Sequence, residues 1–300
     1  MFKAIILLTG FFFIPNCFAF YENFESQFSI SHKNTEIQVG ILGVKNTKGT
    51  LLYLPGFADT FDNHESLLHT FSNLGLKVIT FDYPEHGQSG GSIRWWGLPE
   101  LSSIIPAVLN DPRTEFKPGS PLIMAGWSTG ATIAIRTAQA WQKNVLPAGT
   151  ELKGIIAFAP AMPARIVIHV NKDNLTSGEM KHDPKPNAVP VLGQFSGSIT
   201  LQSKLAEMES IPATIPTLIL VAGNREDEFA QSNSTTRFVR ASAENVIGFQ
   251  CDGARHGLEF EPLQGSSAKN LAARFAQALL VNDLSSVKAL NPRFCPRIEK

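Results

Sequence analysis

Six short segments of this chain are apolar throughout or nearly so: residues 50–54, 77–81, 122–125, 154–158, 217–221 and 246–251. A strand with one wet face alternates apolar and polar side chains. Unbroken apolar runs of this length therefore predict strands covered on both faces, as in a parallel sheet. Between them, residues 64–74, 99–109, 131–144 and 267–282 carry apolar side chains at helical spacing. Ahead of the first run, residues 28–32 and 35–44 flank Lys33-Asn34 and read as an opening hairpin. Strand and helix alternate, so the expected class is α/β, with a mainly parallel central sheet and helices on both faces. The rhythm fails over residues 162–210. There an apolar piece (166–170), a polar, proline-containing stretch (171–190) and a helical pattern (201–208) follow one another. This segment is expected to be a cap or lid inserted into a single domain spanning residues 20–300.

The first residues follow a different pattern. Met1-Phe2-Lys3 gives a short positive start, residues 4–14 are continuously apolar, and Cys17-Phe18-Ala19 ends in small residues at its outer positions. That is the layout of a secretory signal peptide over residues 1–19, cleaved after Ala19. The apolar run is shorter than the roughly 20 residues of a spanning helix. An uncleaved anchor or a buried first helix is the competing reading. Export to a periplasm or to the cell exterior is the expectation. It leaves Cys251 and Cys295 either as one disulfide or as two buried thiols.

Composition changes the picture little. Of 300 residues, 43% are hydrophobic, enough for a sizeable core, and 26 Lys and Arg balance 26 Asp and Glu. No Lys/Arg-rich run provides the electrostatic footprint of a nucleic-acid binder. Neither metal-ligand spacing nor a phosphate loop or cofactor fingerprint is visible. A small-molecule partner is expected.

Candidate chemistry begins at Gly126-Trp127-Ser128-Thr129-Gly130, which fits the nucleophile-elbow pattern G-x-S-x-G. Gly87-Gln88-Ser89-Gly90-Gly91 fits it too, and context separates them. Ser128 stands between the apolar run Leu122-Ile123-Met124-Ala125 and the helical pattern opening Ala131-Thr132-Ile133-Ala134-Ile135. The elbow requires that strand, sharp turn and buried helix. Ser89 has loop-like sequence on both sides and is expected to be structural.

A serine needs a base to take its proton, and in this arrangement the acid and then the histidine follow it in the chain. His169, His182 and His256 all follow Ser128, but the first two fall in the expected cap. His256 stands in Gly253-Ala254-Arg255-His256-Gly257, just past the last strand. The acid should follow the strand at 217–221. Asp227 is favoured there, Glu226 is its rival, and Glu228 reads as a solvated side chain. Two backbone N–H groups must hold the oxyanion. Thr129, next after the nucleophile, supplies one. Phe57 in Leu54-Pro55-Gly56-Phe57 is nominated for the other, against a plain Pro-Gly turn.

Assembled, these residues resemble the monoacylglycerol lipase and lysophospholipase branch of the α/β-hydrolases, also grouped as serine aminopeptidase-like hydrolases. The resemblance runs from about residue 51 to 262. It rests on residues 54–57, on Asp82-Tyr83-Pro84-Glu85-His86-Gly87-Gln88-Ser89, on the elbow, and on Asp227 and His256. The family's loop reads D-x-x-G-x-G-x-S, so Glu85 replaces its first glycine, and Pro55 stands where many members have histidine. The resemblance implies the α/β-hydrolase fold and hydrolysis of a carboxylic ester, such as an acylglycerol or lysophospholipid, by Ser128, Asp227 and His256 without a cofactor. Amide hydrolysis, and a catalytically silent binding protein on the same scaffold, are the alternatives. Ile166 to Ile168, Val189, Val191, Leu192 and Phe195 suit either an acyl pocket or the packing of the cap. Trp95 and Trp96 suit transient contact with a membrane surface or substrate, or buried packing.

Overall fold

The computed structural model describes residues 23–43, 47–57, 59–92, 98–139, 145–160, 166–170, 197–201, 211–223, 232–255, 257–258 and 262–300. The chain opens with β1 (Ser26–His32) and β2 (Thr35–Leu42), an antiparallel hairpin in which His32 faces Thr35. Its two turn residues, Lys33 (φ 50°) and Asn34 (φ 59°), both take the left-handed backbone that matches the twist of a two-residue hairpin loop. Then follow β3 (Gly49–Leu54), β4 (Leu76–Phe81), β5 (Pro121–Trp127), β6 (Glu151–Phe158), β9 (Thr217–Ala222) and β10 (Val246–Cys251). They join the hairpin in one eight-stranded sheet of order β1-β2-β4-β3-β5-β6-β9-β10. From β4 onward every neighbouring pair is parallel. Between β6 and β9, strands β7 (Ile166–Val170) and β8 (Gly197–Leu201) form a separate two-stranded antiparallel sheet.

The apolar runs behave as their lack of alternation requires. On β3, Leu52 and Leu54 enter one hydrophobic cluster while Leu51 and Tyr53 enter another; on β5, Leu122 and Met124 oppose Ile123 and Ala125 in the same way. The first cluster is closed by α3 (Ile104–Asn110) and α4 (Thr129–Gln139), through Ile104, Val108, Ile135 and Ala138. The second is closed by α1 (Glu65–Asn73) and α6 (Gln264–Leu280), through Leu68, Phe71, Leu271 and Phe275. The one cation in these runs, Lys77, is buried and sends its ammonium out to the Thr114 carbonyl and the Glu115 carboxylate, both at 3.2 Å.

Three departures from the sequence expectation are seen, and two of them have local causes. The helix expected at 99–109 is two pieces, α2 (Leu98–Ser102) and α3, separated at Ser103. Pro106 lacks an N–H and its ring crowds the carbonyl four residues back, so it is accommodated only in the first turn of a new helix. An unforeseen helix, α5 (Ser232–Ala241), buries Thr235, Thr236 and Val239. Threonines on its inner face conceal the apolar period. Leu201, expected to open a helix, instead ends β8; residues 202–210 lie outside the described residues.

After the short α7 (Ser285–Lys288), the C-terminal tail returns to the outer edge of β10. Gln250 N–H donates to the Pro296 carbonyl (3.0 Å), and Ile298 N–H donates to that of Gly248 (2.9 Å). This satisfies backbone groups that an edge strand would otherwise expose. Cys251 and Cys295 are joined in a disulfide that spans 44 residues of sequence. Replacing both cysteines by serine is expected to lower the unfolding free energy by about 4 kcal/mol, the chain-entropy value for a loop of that size. Urea unfolding of wild type and variant, each with and without dithiothreitol, measures it; only the wild type should respond to the reductant.

Candidate active site

Because β3, β5, β6, β9 and β10 are parallel, their C-terminal ends lie along one edge of the sheet. Ser128 sits there, directly after β5 and before α4, with φ at +51°. A left-handed backbone at a non-glycine residue costs energy and must be imposed by its surroundings. Here Ser128 N–H donates to the Phe158 carbonyl of β6 (2.9 Å). The Ser128 carbonyl accepts from Thr132 N–H (3.1 Å) and from the Thr132 hydroxyl (3.2 Å).

The glycines on either side are sterically obligatory. A Cβ on Gly130 would lie 2.0 Å from the Leu54 carbonyl oxygen and 2.3 Å from that of Pro55, and one on Gly126 would meet the backbone of Gly130 at 2.5 Å. The start of α4 is thus pressed against both its own strand and the end of β3. That contact brings residues 55–57 beside the turn, where a Cβ on Gly56 would strike the Trp127 ring at 2.5 Å. Phe57 and Thr129, the two residues expected to frame an oxyanion, lie on the two sides of this contact. Thr129 is the first residue of α4, so its amide belongs to the set a helix leaves without internal partners.

Ser89 has the other role its context indicated. Its hydroxyl donates to the Asp82 carbonyl (2.8 Å) and accepts from Gln38 N–H (2.8 Å), tying the loop after β4 to β2. In the same loop Glu85 has φ +65°. A glycine takes that conformation without cost, which accounts for the glycine of the related pattern at this position.

Asp227 and His256 lie outside the described residues. The strands leading to them end side by side, with Cys251 opposite Ala222, and Gly223 N–H donates to the Ala254 carbonyl (2.9 Å).

A buried polar cluster that follows Phe57 in the chain escaped the reading of the sequence. Asp59 accepts from Thr60 N–H (2.8 Å) and from the Asn63 side-chain amide (2.6 Å), and pairs with His64 Nε2. Burial pushes the Asp59 carboxyl up, but the His64 charge and the bonds from His64, Asn63 and Thr60 outweigh it and hold the group below the ordinary aspartate range. The His64 ring rests 5.5 Å from the indole of Trp127 and 4.9 Å from Tyr53. His86 is also buried, against Phe57 at 5.5 Å. Burial drives its pKa down, against the opposing pull of the Pro84 carbonyl, Asp59 and Glu85. The only signal in the sequence was the closeness of Asp59, Asp62 and His64 to the Pro-Gly loop. Among the described residues, no cluster of three or more His, Cys, Asp or Glu is arranged to hold a metal ion.

Sheet order, elbow and helix placement together define the α/β-hydrolase fold. Residues 45–176 match the model of the family described as serine aminopeptidase, S33. The fold is shared with a monoacylglycerol lipase of Paleococcus ferrophilus (TM-score 0.62, 16% identity, 83% of this chain and 100% of that one). It is shared equally with a soluble variant of the monoglyceride lipase of Saccharomyces cerevisiae solved with a substrate analogue (TM-score 0.63, 15% identity, 85% and 94%). Est1E of Butyrivibrio proteoclasticus, solved with ferulic acid, is similar as well (TM-score 0.60, 15% identity, 85% and 99%). No curated protein sequence matches the chain.

Two stability effects follow from this geometry. Gly130→Ala is expected to cost at least about 3 kcal/mol in denaturant unfolding, because backbone rather than side chain blocks its Cβ. Gly90→Ala, whose Cβ would have ordinary contacts beginning at 3.7 Å, is expected to stay within about 1 kcal/mol of wild type. The depressed Asp59 carboxyl contributes stability that is complete above its unfolded pKa and is lost as pH falls through the lower folded value. Asp59→Asn should therefore flatten the fall in melting temperature below about pH 4, as read by calorimetry across that range.

Proposed function

We propose that this protein is an exported serine esterase whose nucleophile is Ser128. The observation that carries the reading is the strained elbow. A serine at φ +51° between a buried strand and a buried helix is held there by close contacts that place two backbone segments around its side chain. Ser128 attacks the ester carbonyl while His256 removes its proton. The amides of Phe57 and Thr129 hold the oxyanion, and His256 returns the proton to the departing alcohol. Water then hydrolyses the acyl-enzyme by the same route. Asp227 orients the imidazole and stabilises its charged form. The junction between Gly223 and Ala254 supports this assignment, since it joins the chain just before both segments.

The proposed substrate is a monoacylglycerol or lysophospholipid, in keeping with the two lipases that share the fold. Residues 162–210, which include the separate β7-β8 sheet, form the proposed cap over the acyl site. Residues 1–19 direct export. The Cys251–Cys295 disulfide supports an oxidising destination, because such bonds persist there and are rare in the cytosol. The aminopeptidase description of the matching family favours a second reading, hydrolysis of aminoacyl amides. In that case Glu179, Asp183 and Glu207 are the carboxylates available for a substrate ammonium.

The test is a chain-length series of acyl esters and lysolipids run beside aminoacyl amides. Esters are expected to turn over, and Ser128→Ala to lose roughly 10⁴-fold or more in kcat with unchanged circular dichroism. Greater turnover of the amides would shift the assignment to the second reading, and undiminished activity of Ser128→Ala would overturn both. The kcat/KM should rise between about pH 6 and 8 as His256 loses its proton; a flat profile there excludes histidine as the base.

A further inference from the structure

Asp59 lies two residues beyond Phe57, hence within about 7 Å of it from Cα to Cα. It is almost fully buried, and its carboxylate is drawn toward the ionised form by three donors. On the proposed function, this puts a fixed negative charge beside the backbone that must stabilise a second, developing negative charge. Within about 10 Å, repulsion between two unit charges in a medium of dielectric about 20 amounts to at least about tenfold in rate. An uncompensated carboxylate would defeat the oxyanion hole it adjoins.

The compensating group is His64. It is 1% exposed, its Nε2 meets Asp59, and its ring fills the space between Tyr53 at 4.9 Å and Trp127 at 5.5 Å. Trp127 immediately precedes the nucleophile and leaves no room for a Cβ at Gly56. One imidazole thus touches both halves of the site: the loop bearing Phe57, through Asp59, and the elbow bearing Ser128, through Trp127. We propose that His64 and Asp59 are positioning residues for ester hydrolysis, the His64 imidazolium cancelling the Asp59 charge at the oxyanion loop while its ring seats that loop against Trp127. His86 packs against Phe57 at 5.5 Å, and burial disfavours its charge. His64 is the imidazole that pairs directly with the Asp59 carboxylate. The proposal rests on the function argued above.

The experiment uses the purified full chain as wild type, His64→Phe, Asp59→Asn and the double variant. Each is assayed for kcat and KM on p-nitrophenyl butyrate, for affinity to an acyl trifluoromethyl ketone that mimics the tetrahedral adduct, and for melting temperature. His64→Phe keeps a ring beside Trp127 but bares the carboxylate. It should lower kcat about ten- to hundredfold with KM within about threefold, and weaken the ketone by the same factor as kcat. Removing the charge as well should restore kcat at least about tenfold in the double variant. A merely structural pair lowers the melting temperature and gives no such recovery. Full kcat in folded His64→Phe, or a double variant as slow as the single one, overturns the proposal. Should His64→Phe not fold, His64→Gln keeps a neutral donor to Asp59 and carries the same expectation; wild-type kcat there overturns the charge role. A wild type that turns over no ester sinks the esterase reading and this proposal with it. An active wild type with unchanged variants sinks the pair alone.

Discussion

The site depends on one close approach: the backbone of Gly130 lies so near the carbonyls of Leu54 and Pro55 that no side-chain atom fits between them. Helix α4 can then begin directly over the end of β3, and the turn joining β5 to α4 has no space to relax. Ser128 takes up the strain at φ +51°. The same crowding holds Gly56 under the Trp127 ring, so Ser128 and the neighbouring loop are located by a single set of contacts. Hydrogen bonds from Ser128 to Phe158 and from Thr132 to Ser128 then fix a geometry that packing has already selected.

Around this contact the protein spends buried polar groups where an apolar core would have been simpler. Asp82 accepts from Phe61 N–H (2.9 Å), while its own carbonyl is held by Ser89, which in turn anchors Gln38. Asp59, Asn63 and His64 form a second knot one step nearer the serine. Apolar packing is non-directional and tolerates small slips, whereas a buried charge without its partner is costly. These knots therefore specify loop position as well as stability. The second knot joins the loop after Phe57 to Trp127 through the His64 ring, which links the energetics of the fold to those of the proposed chemistry.

Much of this was legible beforehand, and the exceptions are informative. All six apolar runs are strands of the main sheet, because burial on both faces leaves an unambiguous record in residue type. Helices were recovered less well. Pro106 divides one at Ser103, and the inner face of α5 uses Thr235 and Thr236 in place of aliphatic residues. The two G-x-S-x-G matches were separable from flanking sequence alone, since only Ser128 stands between a strand pattern and a helix pattern. By contrast, Asp59 stands in a loop whose composition resembles any exposed turn and His64 at the start of an expected helix, and nothing local announced that they are buried together.

Taken alone, the order of residues determined the class of fold, the strand that leads into the G-x-S-x-G turn and which of the two matching serines stands in that turn. Each is written in short-range patterns of polarity and glycine placement. Only the tertiary structure decided that Cys251 and Cys295 are bonded, that Ser89 is a staple, and that a carboxylate and an imidazole lie together behind Trp127. Those are facts of distance between segments that the sheet order brings together, and a linear pattern carries no measure of such distances.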